Sequence, residues 1–466
     1  MNMKLRNIPF SPPDMTEAEV AEVREAILSG WITTGPRTKK LEQQISEFVH
    51  TDKTVCLNSA TASMEMVLHL LGVGPGDEVI VPAYTYTATA SVVTHVGAKL
   101  VMVDSQKESV EMDYDQLEKA ITEKTKVIVP VDLGGIVADY DRVFEIVERK
   151  KSLFHPTNAL QAKIGRIIVS ADCAHSFGAW RNVNVNANYN LKPETCNLKP
   201  TRRVKKMAGE IADFSSFSFH AVKNFTTAEG GAMTWNLPFG NEVVNVNVND
   251  NDNDNDNLNL NYYPTVPKIE GETWNELLYR LSQLFSLHGQ NKDALAKTKL
   301  GAWEYDIIGP WYKCNMTDIM AALGLVQMER YQQLLERRYE IVEKFNEGID
   351  NLNANLDDNH KVVYLNHKDA EHCSSHHLYL LRLTGRTREE TNKVIEMMAE
   401  RGIATNVHYK PLPMMTAYKA LGFDIKNYPN AYHLFENEIT FPLHTKLSDE
   451  DVDYIVENFR EVIKNM

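Results

Sequence analysis

Short apolar runs alternate with helix-like segments through the first half of the chain. Met64, Val67, Leu68 and Leu71 recur at the spacing of an amphipathic helix between two such runs. Strands that alternate with helices need crossover connections, so the pattern predicts an α/β fold with a large, mostly parallel sheet covered on both faces. The runs predicted as buried strands are Val55–Leu57, Val79–Val81, Leu100–Val103, Val127–Val131, Arg166–Ser170, Phe214–Phe219 and Ala232–Trp235.

The last third of the chain has a different pattern. A long helical region runs from about Thr317 to Phe345 and leads into a smaller α+β unit. In that unit His377–Leu383 is typical of a strand, and Thr387–Glu400 is typical of a helix opened by a capping box. We therefore expect a large domain over residues 1–310, followed by a linking helix and a small α+β C-terminal domain over residues 311–466.

Two asparagine-rich segments interrupt the pattern. Every second residue is Asn in 182–190 and in 245–261, and Asp fills the gaps from Asp250 to Asp256. Because Asn and Asp are poor strand formers and neither alternating face is apolar, we interpret both segments as mobile, dispensable low-complexity insertions. The alternating aspartates could instead suggest calcium, but no glycine turn and no closing bidentate Glu stand at the required offsets.

Composition narrows the class of protein. The chain has 466 residues, with 49 Lys and Arg against 63 Asp and Glu, which gives a net charge of −14. This acidity argues against nucleic acid or an anionic membrane as the partner, but it allows a local pocket for a small anion. The five cysteines include no CxxC pair, so no disulfide framework and no metal site is predicted. Without an apolar leader or a run of about 20 apolar residues, the expected location is cytoplasmic.

Three motifs beside predicted strands carry candidate chemistry. Small and hydroxyl residues in Asn58–Ser63 precede a helix and could cradle an anion, although N-capping alone would also explain them. Asp172 follows a strand, at the edge where α/β sheets bind ligands, or it caps the next helix. Lys223 lies in a loop before the Gly230–Gly231 pair, where it could be a nucleophile or an ordinary surface lysine. Together they supply the phosphate site, carboxylate and amine that a pyridoxal phosphate site needs.

Through these and further motifs, the sequence resembles the DegT/DnrJ/EryC1/StrS family of pyridoxal-phosphate-dependent nucleotide-sugar aminotransferases. The resemblance extends over nearly the whole chain outside the Asn-rich segments. It implies a type I pyridoxal-phosphate transferase fold, which is aspartate-aminotransferase-like. The segments that carry it are Ser29–Pro36, Asn58–Ser63, Pro82–Thr89, Ala171–Gly178, Phe217–Gly231, Tyr312–Asp318, Val407–Leu412 and Thr440–Leu443.

The resemblance assigns cofactor roles to particular residues. Lys223 would be the catalytic residue and would bond covalently to pyridoxal 5'-phosphate. Asp172 would pair with the ring nitrogen of the cofactor, and Tyr86 would stack on the ring. The residues that would hold the phosphate are Ala60, Thr61 and Ser218.

Further roles implied by the resemblance concern the subunit interface and the substrate. His175 stands where relatives carry Gln or His near the cofactor's O3′. Lys313 would reach the phosphate from the other subunit of a homodimer, and His408 and Tyr409 would lie near the sugar nucleotide.

The resemblance implies transfer of an amino group, with glutamate as the expected donor, to a nucleotide-linked keto sugar in cell-surface polysaccharide biosynthesis. The Ser-Phe-His-x-x-Lys form around His220 is common in relatives that act at C4, so amination at C4 of a 4-keto-6-deoxyhexose is expected rather than at C3. Two alternatives remain: a pyridoxamine-phosphate-dependent sugar dehydratase, in which the position of Lys223 is typically His, and a non-catalytic regulatory protein of the same fold.

Overall fold

The computed structural model describes part of the chain, namely residues 5–184, 203–244, 266–267, 269–291 and 304–466. The helices in these ranges are α1 (Glu17–Leu28), α2 (Pro36–Val49), α3 (Ala60–Leu70), α4 (Thr87–His95), α5 (Tyr114–Ala120), α6 (Tyr140–Arg149), α7 (Ala159–Ile164), α8 (Trp274–Ser286), α9 (Asp318–Asn353), α10 (Arg388–Glu400), α11 (Thr416–Ala420), α12 (Pro429–Glu436) and α13 (Asp449–Lys464). The strands are β1 (Thr54–Leu57), β2 (Glu78–Pro82), β3 (Lys99–Val103), β4 (Thr125–Ile128), β5 (Ile168–Asp172), β6 (Trp180–Asn184), β7 (Arg203–Met207), β8 (Phe214–Ser218), β9 (Gly231–Trp235), β10 (Val362–Tyr364), β11 (His372–Cys373), β12 (Tyr379–Leu383) and β13 (Glu438–Phe441).

A seven-stranded sheet organises the larger part of the molecule. Its order is β1-β9-β8-β5-β4-β2-β3. The pairs β3/β2, β2/β4, β4/β5 and β5/β8 are parallel, whereas β9 runs antiparallel to both β8 and β1. The prediction of a mostly parallel α/β sheet is therefore confirmed. Because parallel strands end at the same edge, Asp172 and its register partner Ser216 lie side by side at the carboxyl edge.

Local sequence determines where the helices begin. The hydroxyl of Ser59 accepts a hydrogen bond of 3.1 Å from the Ala62 N–H and caps α3. The predicted capping box of α10 is present, with Thr387 and Glu390 as its two members. These caps pair backbone N–H groups that a helix cannot satisfy by itself, so each one places the first turn of its helix at a defined residue.

The apolar side chains form two clusters, and α9 spans both. Leu325 and Tyr331, in its first half, pack into the cluster around the seven-stranded sheet. Ile341 and Phe345, further along, pack into a second cluster with the sheet β10-β12-β13 and helices α10 and α13. This arrangement matches a large α/β part and a smaller α+β part, while the boundary between residues 310 and 311 stays a prediction.

A third, small sheet corrects the interpretation of the first Asn-rich segment. Asn182–Asn184 lie in β6, which pairs with β7 and with β11, whereas we expected a mobile insertion from residue 182. Val183 is buried, and the Asn182 N–H donates a hydrogen bond of 2.7 Å to the carbonyl of Glu371. Two neighbouring strands supply hydrogen bonds that outweigh the low strand propensity of Asn. Residues 185–190 and the second segment, 245–261, lie outside the described residues.

Two further observations concern the described ranges. Cys56, Cys173, Cys314 and Cys373 are free thiols, and Cys196 lies outside these ranges. Among the described helices, none combines the length and the apolar character needed to cross a bilayer.

Candidate active site

A cavity of about 520 Å³ opens at the carboxyl edge of the seven-stranded sheet. Its wall comes from the loops after the central strands, from the start of α3, and from the segment around residue 408 in the smaller part. The structure brings together every predicted site residue except Lys313. Those that line the cavity are Ala60, Thr61, Tyr86, Asp172, His175, Ser218, Lys223, His408 and Tyr409.

The start of α3 lies at the cavity wall, where the sequence predicts an anion cradle. Ser59 caps the helix, and Ala60 and Thr61 form its first turn at the cavity wall. Gly231 at the start of β9 packs directly against this turn. A methyl group at Gly231 would lie 2.4 Å from the carbonyl carbon of Ser59 and 2.5 Å from the nitrogen of Ala60. The glycine thus allows a strand to approach the helix N-terminus, where free N–H groups and the helix dipole favour a phosphate.

Asp172 ends β5 and is buried against the cavity. Its Oδ2 accepts a hydrogen bond of 2.7 Å from the Thr89 hydroxyl, and its Oδ1 accepts one of 3.1 Å from the Ala174 N–H. Burial raises the pKa of the Asp172 carboxyl, while the two hydrogen bonds and the positive charge of Lys223 act in the opposite direction. A carboxylate held in this way is suited to bind a positively charged group in the cavity.

Lys223 lies in the loop between β8 and β9. Its backbone N–H donates to the carbonyl of His220 at 2.9 Å, which closes a turn and directs the chain along the cavity. Burial lowers the pKa of the Lys223 amine to about 8, although Asp172 stabilises the charged form. A pKa this low leaves a substantial neutral fraction near pH 7 to 8, and the neutral amine is the nucleophilic form.

His175 is neutral, and its surroundings select one tautomer. The backbone N–H of Gly134 donates to Nδ1 at 3.2 Å, so the ring proton resides on Nε2, which lies 3.2 Å from the hydroxyl oxygen of Tyr409. Burial lowers the pKa of His175 well below its usual value. Burial also raises the pKa of the Tyr409 hydroxyl, which therefore keeps its proton.

The predicted substrate residues and Tyr86 form an aromatic wall. The rings of Tyr86 and Tyr409 lie 5.9 Å apart between centroids, and Tyr86 remains 59% exposed. The ring of Phe10 stacks on His408 at 5.5 Å with an interplanar angle of 21°. This wall offers flat apolar surface to a ring-shaped ligand, with polar groups at its edges.

Several residues of this site carry no role that was predicted from sequence. Thr89 holds Asp172 but carried no assigned role, although it lies on α4 three residues after Tyr86. His377 packs its ring 4.5 Å from that of His175, and its Nδ1 lies 2.9 Å from Oδ1 of Asn224, the residue after Lys223. Only the adjacency of Asn224 to the lysine was a usable sequence signal, because His377 comes from a distant part of the chain.

Lys313 is the exception among the predicted site residues. Its amine donates to the side-chain oxygen of Asn315, and its backbone forms a bridge with Leu287, so in this chain it does not line the cavity. Its assignment to the phosphate of a neighbouring subunit stays a prediction.

The residues present fit pyridoxal phosphate. The cradle at α3 suits the phosphate, Asp172 suits a protonated ring nitrogen, and the lysine amine suits the aldehyde. Gly231 provides independent support, because a side chain there would push β9 away from the helix start that forms the cradle.

Comparison with known proteins agrees with this geometry. The model of the DegT/DnrJ/EryC1/StrS aminotransferase family matches residues 13–246 and 272–460. The chain is 52% identical to the "Putative sugar aminotransferase Spr1654" from Streptococcus pneumoniae in its PMP form, with a TM-score of 0.82 and coverage of 98% of this chain and 100% of that one. For the PLP form of Spr1654 the identity is 50%, the TM-score 0.81 and the coverage 99% of each chain.

Two relatives known by sequence cover the chain just as fully. The spore coat polysaccharide biosynthesis protein SpsC of Bacillus subtilis is 29% identical over 98% of this chain and 97% of its own length. The UDP-4-amino-4-deoxy-L-arabinose–oxoglutarate aminotransferase of Shewanella sediminis is 29% identical over 98% of each. The family model covers most of the chain and the fold is of type I, so the chain belongs to the DegT/DnrJ/EryC1/StrS family of pyridoxal-phosphate-dependent sugar aminotransferases.

Proposed function

We propose that this aminotransferase moves an amino group from glutamate to C4 of a nucleotide-linked 4-keto-6-deoxyhexose. The observation that supports it most is the placement of Lys223 and Asp172 in one cavity, close enough for their charges to influence each other's pKa. This pair supplies a nucleophilic amine and a buried carboxylate beside a phosphate cradle.

Different residues of the cavity would hold different parts of the cofactor. Ala60, Thr61 and Ser218 would hold the phosphate, Asp172 would stabilise the protonated ring nitrogen, and Tyr86 would cover the ring face. When bound, pyridoxal phosphate accepts electrons from the bond that breaks at the α-carbon of the amino donor. Asp172 would strengthen this effect by stabilising a positive charge on the ring nitrogen.

Lys223 would also move a proton during the reaction. Its amine would take the proton from the α-carbon of the donor as a general base and would later return a proton as a general acid. A pKa near 8 suits both directions, because neither protonation state is rare at neutral pH. The donor product leaves before the sugar binds, so the kinetics should be ping-pong.

Two observations support the proposed amination at C4. His220 lines the cavity beside Lys223, in the loop form expected for C4 enzymes, with its Nε2 3.5 Å from Glu229. Among the relatives, the name of the Shewanella sediminis enzyme places the transferred amine at C4 of a UDP-linked sugar, and its partner oxoglutarate corresponds to glutamate as the donor.

Product analysis tests this proposal. The enzyme would be incubated with glutamate and, separately, with a 4-keto-6-deoxy and a 3-keto-6-deoxy nucleotide sugar, and the products identified by NMR. We expect an amine at C4 from the first substrate alone. An amine only at C3 contradicts the position but not the transaminase activity, and a deoxygenated sugar without nitrogen indicates the dehydratase alternative.

We also propose that the active enzyme is a homodimer in which Lys313 completes the neighbouring phosphate site. Subunit mixing tests this directly. K223A and K313A proteins should each be impaired, and a mixture refolded or exchanged into hybrids should regain roughly a quarter of wild-type activity, because half of the dimers then contain one intact site. Absence of recovery, with hybrid dimers demonstrated, would place Lys313 in its own chain's site or in none.

A further inference from the structure

His408 is held on several sides, although it lies on a loop. Its backbone N–H donates to Oε2 of Glu438 at 2.9 Å, and its carbonyl accepts from the Tyr84 hydroxyl at 2.8 Å. The ring of Phe10 covers one face of the imidazole. The ring Nδ1 lies 2.9 Å from the hydroxyl oxygen of Thr440, so Nε2 is the ring nitrogen left for a ligand in the cavity.

A chain of hydrogen bonds connects this ring to a buried carboxyl group. The Thr440 hydroxyl bridges His408 Nδ1 and Oε1 of Glu438. Glu438 is 1% exposed and Thr440 is fully buried, on the same strand, β13. Since a hydroxyl has a single proton, Thr440 can donate to only one of its two neighbours at a time. Whether Thr440 donates to Glu438 or to His408 therefore depends on the protonation state of Glu438 and on the tautomer of His408.

We propose that Glu438 and Thr440 are positioning residues that fix the ring orientation and the tautomer of His408, and thereby decide whether Nε2 offers the sugar substrate a hydrogen-bond donor or an acceptor. This inference rests on the proposed function only for the identity of the ligand. The hydrogen-bond chain itself is a property of the protein.

The two directions of the chain follow from proton counting. When Glu438 is protonated, its O–H donates to Thr440, the Thr440 hydroxyl donates to Nδ1, and the imidazole carries its proton on Nε2 as a donor. When Glu438 is ionised, both of its oxygens accept, Thr440 donates to Glu438, and the imidazole proton moves to Nδ1, which leaves Nε2 as an acceptor. His408 is neutral in both cases, because burial lowers its pKa to about 3.

The groups around Glu438 permit both states. Arg388 of α10 lies near enough to favour the ionised form, and Thr440 and the His408 N–H also stabilise it. Burial outweighs them and raises the pKa of Glu438 to about 8. Arg382, the register partner of Glu438 on β12, forms an ion pair with Glu108. The hydroxyls of Tyr84 and Tyr409 also lie near Glu438, and because burial raises their pKa values they stay neutral over this range.

The protonated state suits the proposed substrate better. A nucleotide-linked keto sugar presents phosphate and carbonyl oxygens, which are acceptors, and Lys223 is the one cationic side chain among the residues that line this cavity. A neutral Nε2–H donor adds recognition without a further buried charge. We therefore expect the KM for the keto sugar to rise as the pH passes above about 8.

Tautomer measurement tests the hydrogen-bond chain without any substrate. Protein labelled with [15N]histidine would be studied by NMR at pH 6.5 and pH 9.5, and the His408 signals identified by their loss in H408Q. We expect the Nε2–H form at pH 6.5 and the Nδ1–H form at pH 9.5. In E438Q the amide donates to Thr440 at every pH, so the Nε2–H form should persist at both. An unchanged tautomer in the wild type overturns the proposal.

Steady-state kinetics test the consequence for substrate. E438Q should keep the wild-type KM for the keto sugar at pH 7 and lose its rise above pH 8, whereas T440V should raise this KM about tenfold at all pH values and T440S should restore it. The half-reaction with glutamate serves as the internal control and should stay within about twofold in each variant. The glutamate half-reaction also reports the effect of Lys223 protonation on the rate. Because the wild type and E438Q share this effect, it can be distinguished from the effect of Glu438 on the KM for the sugar.

The outcomes are distinguishable. A parallel fall of both half-reactions in T440V and E438Q would show a merely structural role, and an unaltered pH dependence of the sugar KM in E438Q would equally overturn the proposal. If the wild type reacts with glutamate but with no keto sugar, the proposed substrate is wrong, and the NMR result alone decides the role of Glu438 and Thr440.

Discussion

The hydroxyl of Thr89 donates a hydrogen bond of 2.7 Å to Oδ2 of Asp172, and both side chains are buried beside the cavity. This bond stabilises the ionised carboxylate against the effect of burial. It also connects α4, which follows the Tyr86 loop, to the end of β5. The two elements that flank the cofactor site are therefore held in one geometry.

Removing the Thr89 hydroxyl should weaken catalysis. A hydrogen bond to a charged group contributes about 1.5–3 kcal/mol, so T89V should reduce the rate of the glutamate half-reaction roughly 10- to 100-fold, and T89S should retain most of it. The loss should be greatest at low pH, because the Asp172 pKa rises without this donor. T94V, at an exposed position of the same helix, is the control. Equal rates in T89V and T94V would show that Asp172 does not depend on Thr89.

Replacing Lys223 should abolish turnover. K223A removes the amine that bonds to the cofactor, and K223R keeps a positive charge but offers no usable nucleophile near neutral pH. In the wild type, the rate at which the cofactor-free protein binds pyridoxal phosphate covalently should rise about tenfold per pH unit and level off above about pH 8, where the amine is neutral. Absorbance spectroscopy of reconstitution measures this rate. Substantial transamination by K223A would refute the assignment.

Adding a single methyl group at Gly231 should damage the phosphate cradle. The new methyl group in G231A would lie 2.4 Å from the carbonyl carbon of Ser59, so β9 and the start of α3 must separate. We expect weaker retention of pyridoxal phosphate during dialysis and a loss of about 1–3 kcal/mol in stability. G74A is the matched control, because the nearest atom to its methyl group, the carbonyl oxygen of Val96, would be 3.7 Å away. Cofactor retention equal to that of G74A would contradict the model of the cradle.

Buried histidines should make the protein sensitive to mild acid. Burial lowers the pKa of His367 to about 3 and of His376 to about 4, whereas unfolded histidine titrates near 6.5. The unfolded state then binds more protons below pH 6.5, so the stability present above that pH is lost as the pH falls towards these folded values. The change from pH 7.5 to pH 5 should lower the free energy of unfolding by about 2 kcal/mol for each of these two histidines.

Urea unfolding at several pH values measures this effect. H367N removes one of these titrations and should make the midpoint less dependent on pH, whereas H155N, at an exposed position, should leave the dependence unchanged. The same slope in H367N and the wild type would mean that His367 does not remain neutral in the folded protein.

The succession of strands and helices along the chain, and the motifs beside the strands, could be predicted from the sequence. Apolar runs and helix periodicity depend on neighbours within a few residues, and so do the caps at Ser59 and Thr387. Asp172 and Lys223 could be singled out for a similar reason, since each follows a recognisable strand. The start of the Asn-rich segment was misread because the partners that make Asn182–Asn184 a strand, β7 and β11, are not local in sequence.

The sequence alone determined the fold class, the family resemblance and the candidate residues on the large sheet, because these depend on local periodicity and short motifs. The contacts that tune those residues were decided by tertiary structure. Thr89 reaches Asp172 across 83 positions, and the Asn224–His377 pair spans 153. Hydrogen-bond direction and burial, which set pKa values and tautomers, exist only after such distant segments have packed together.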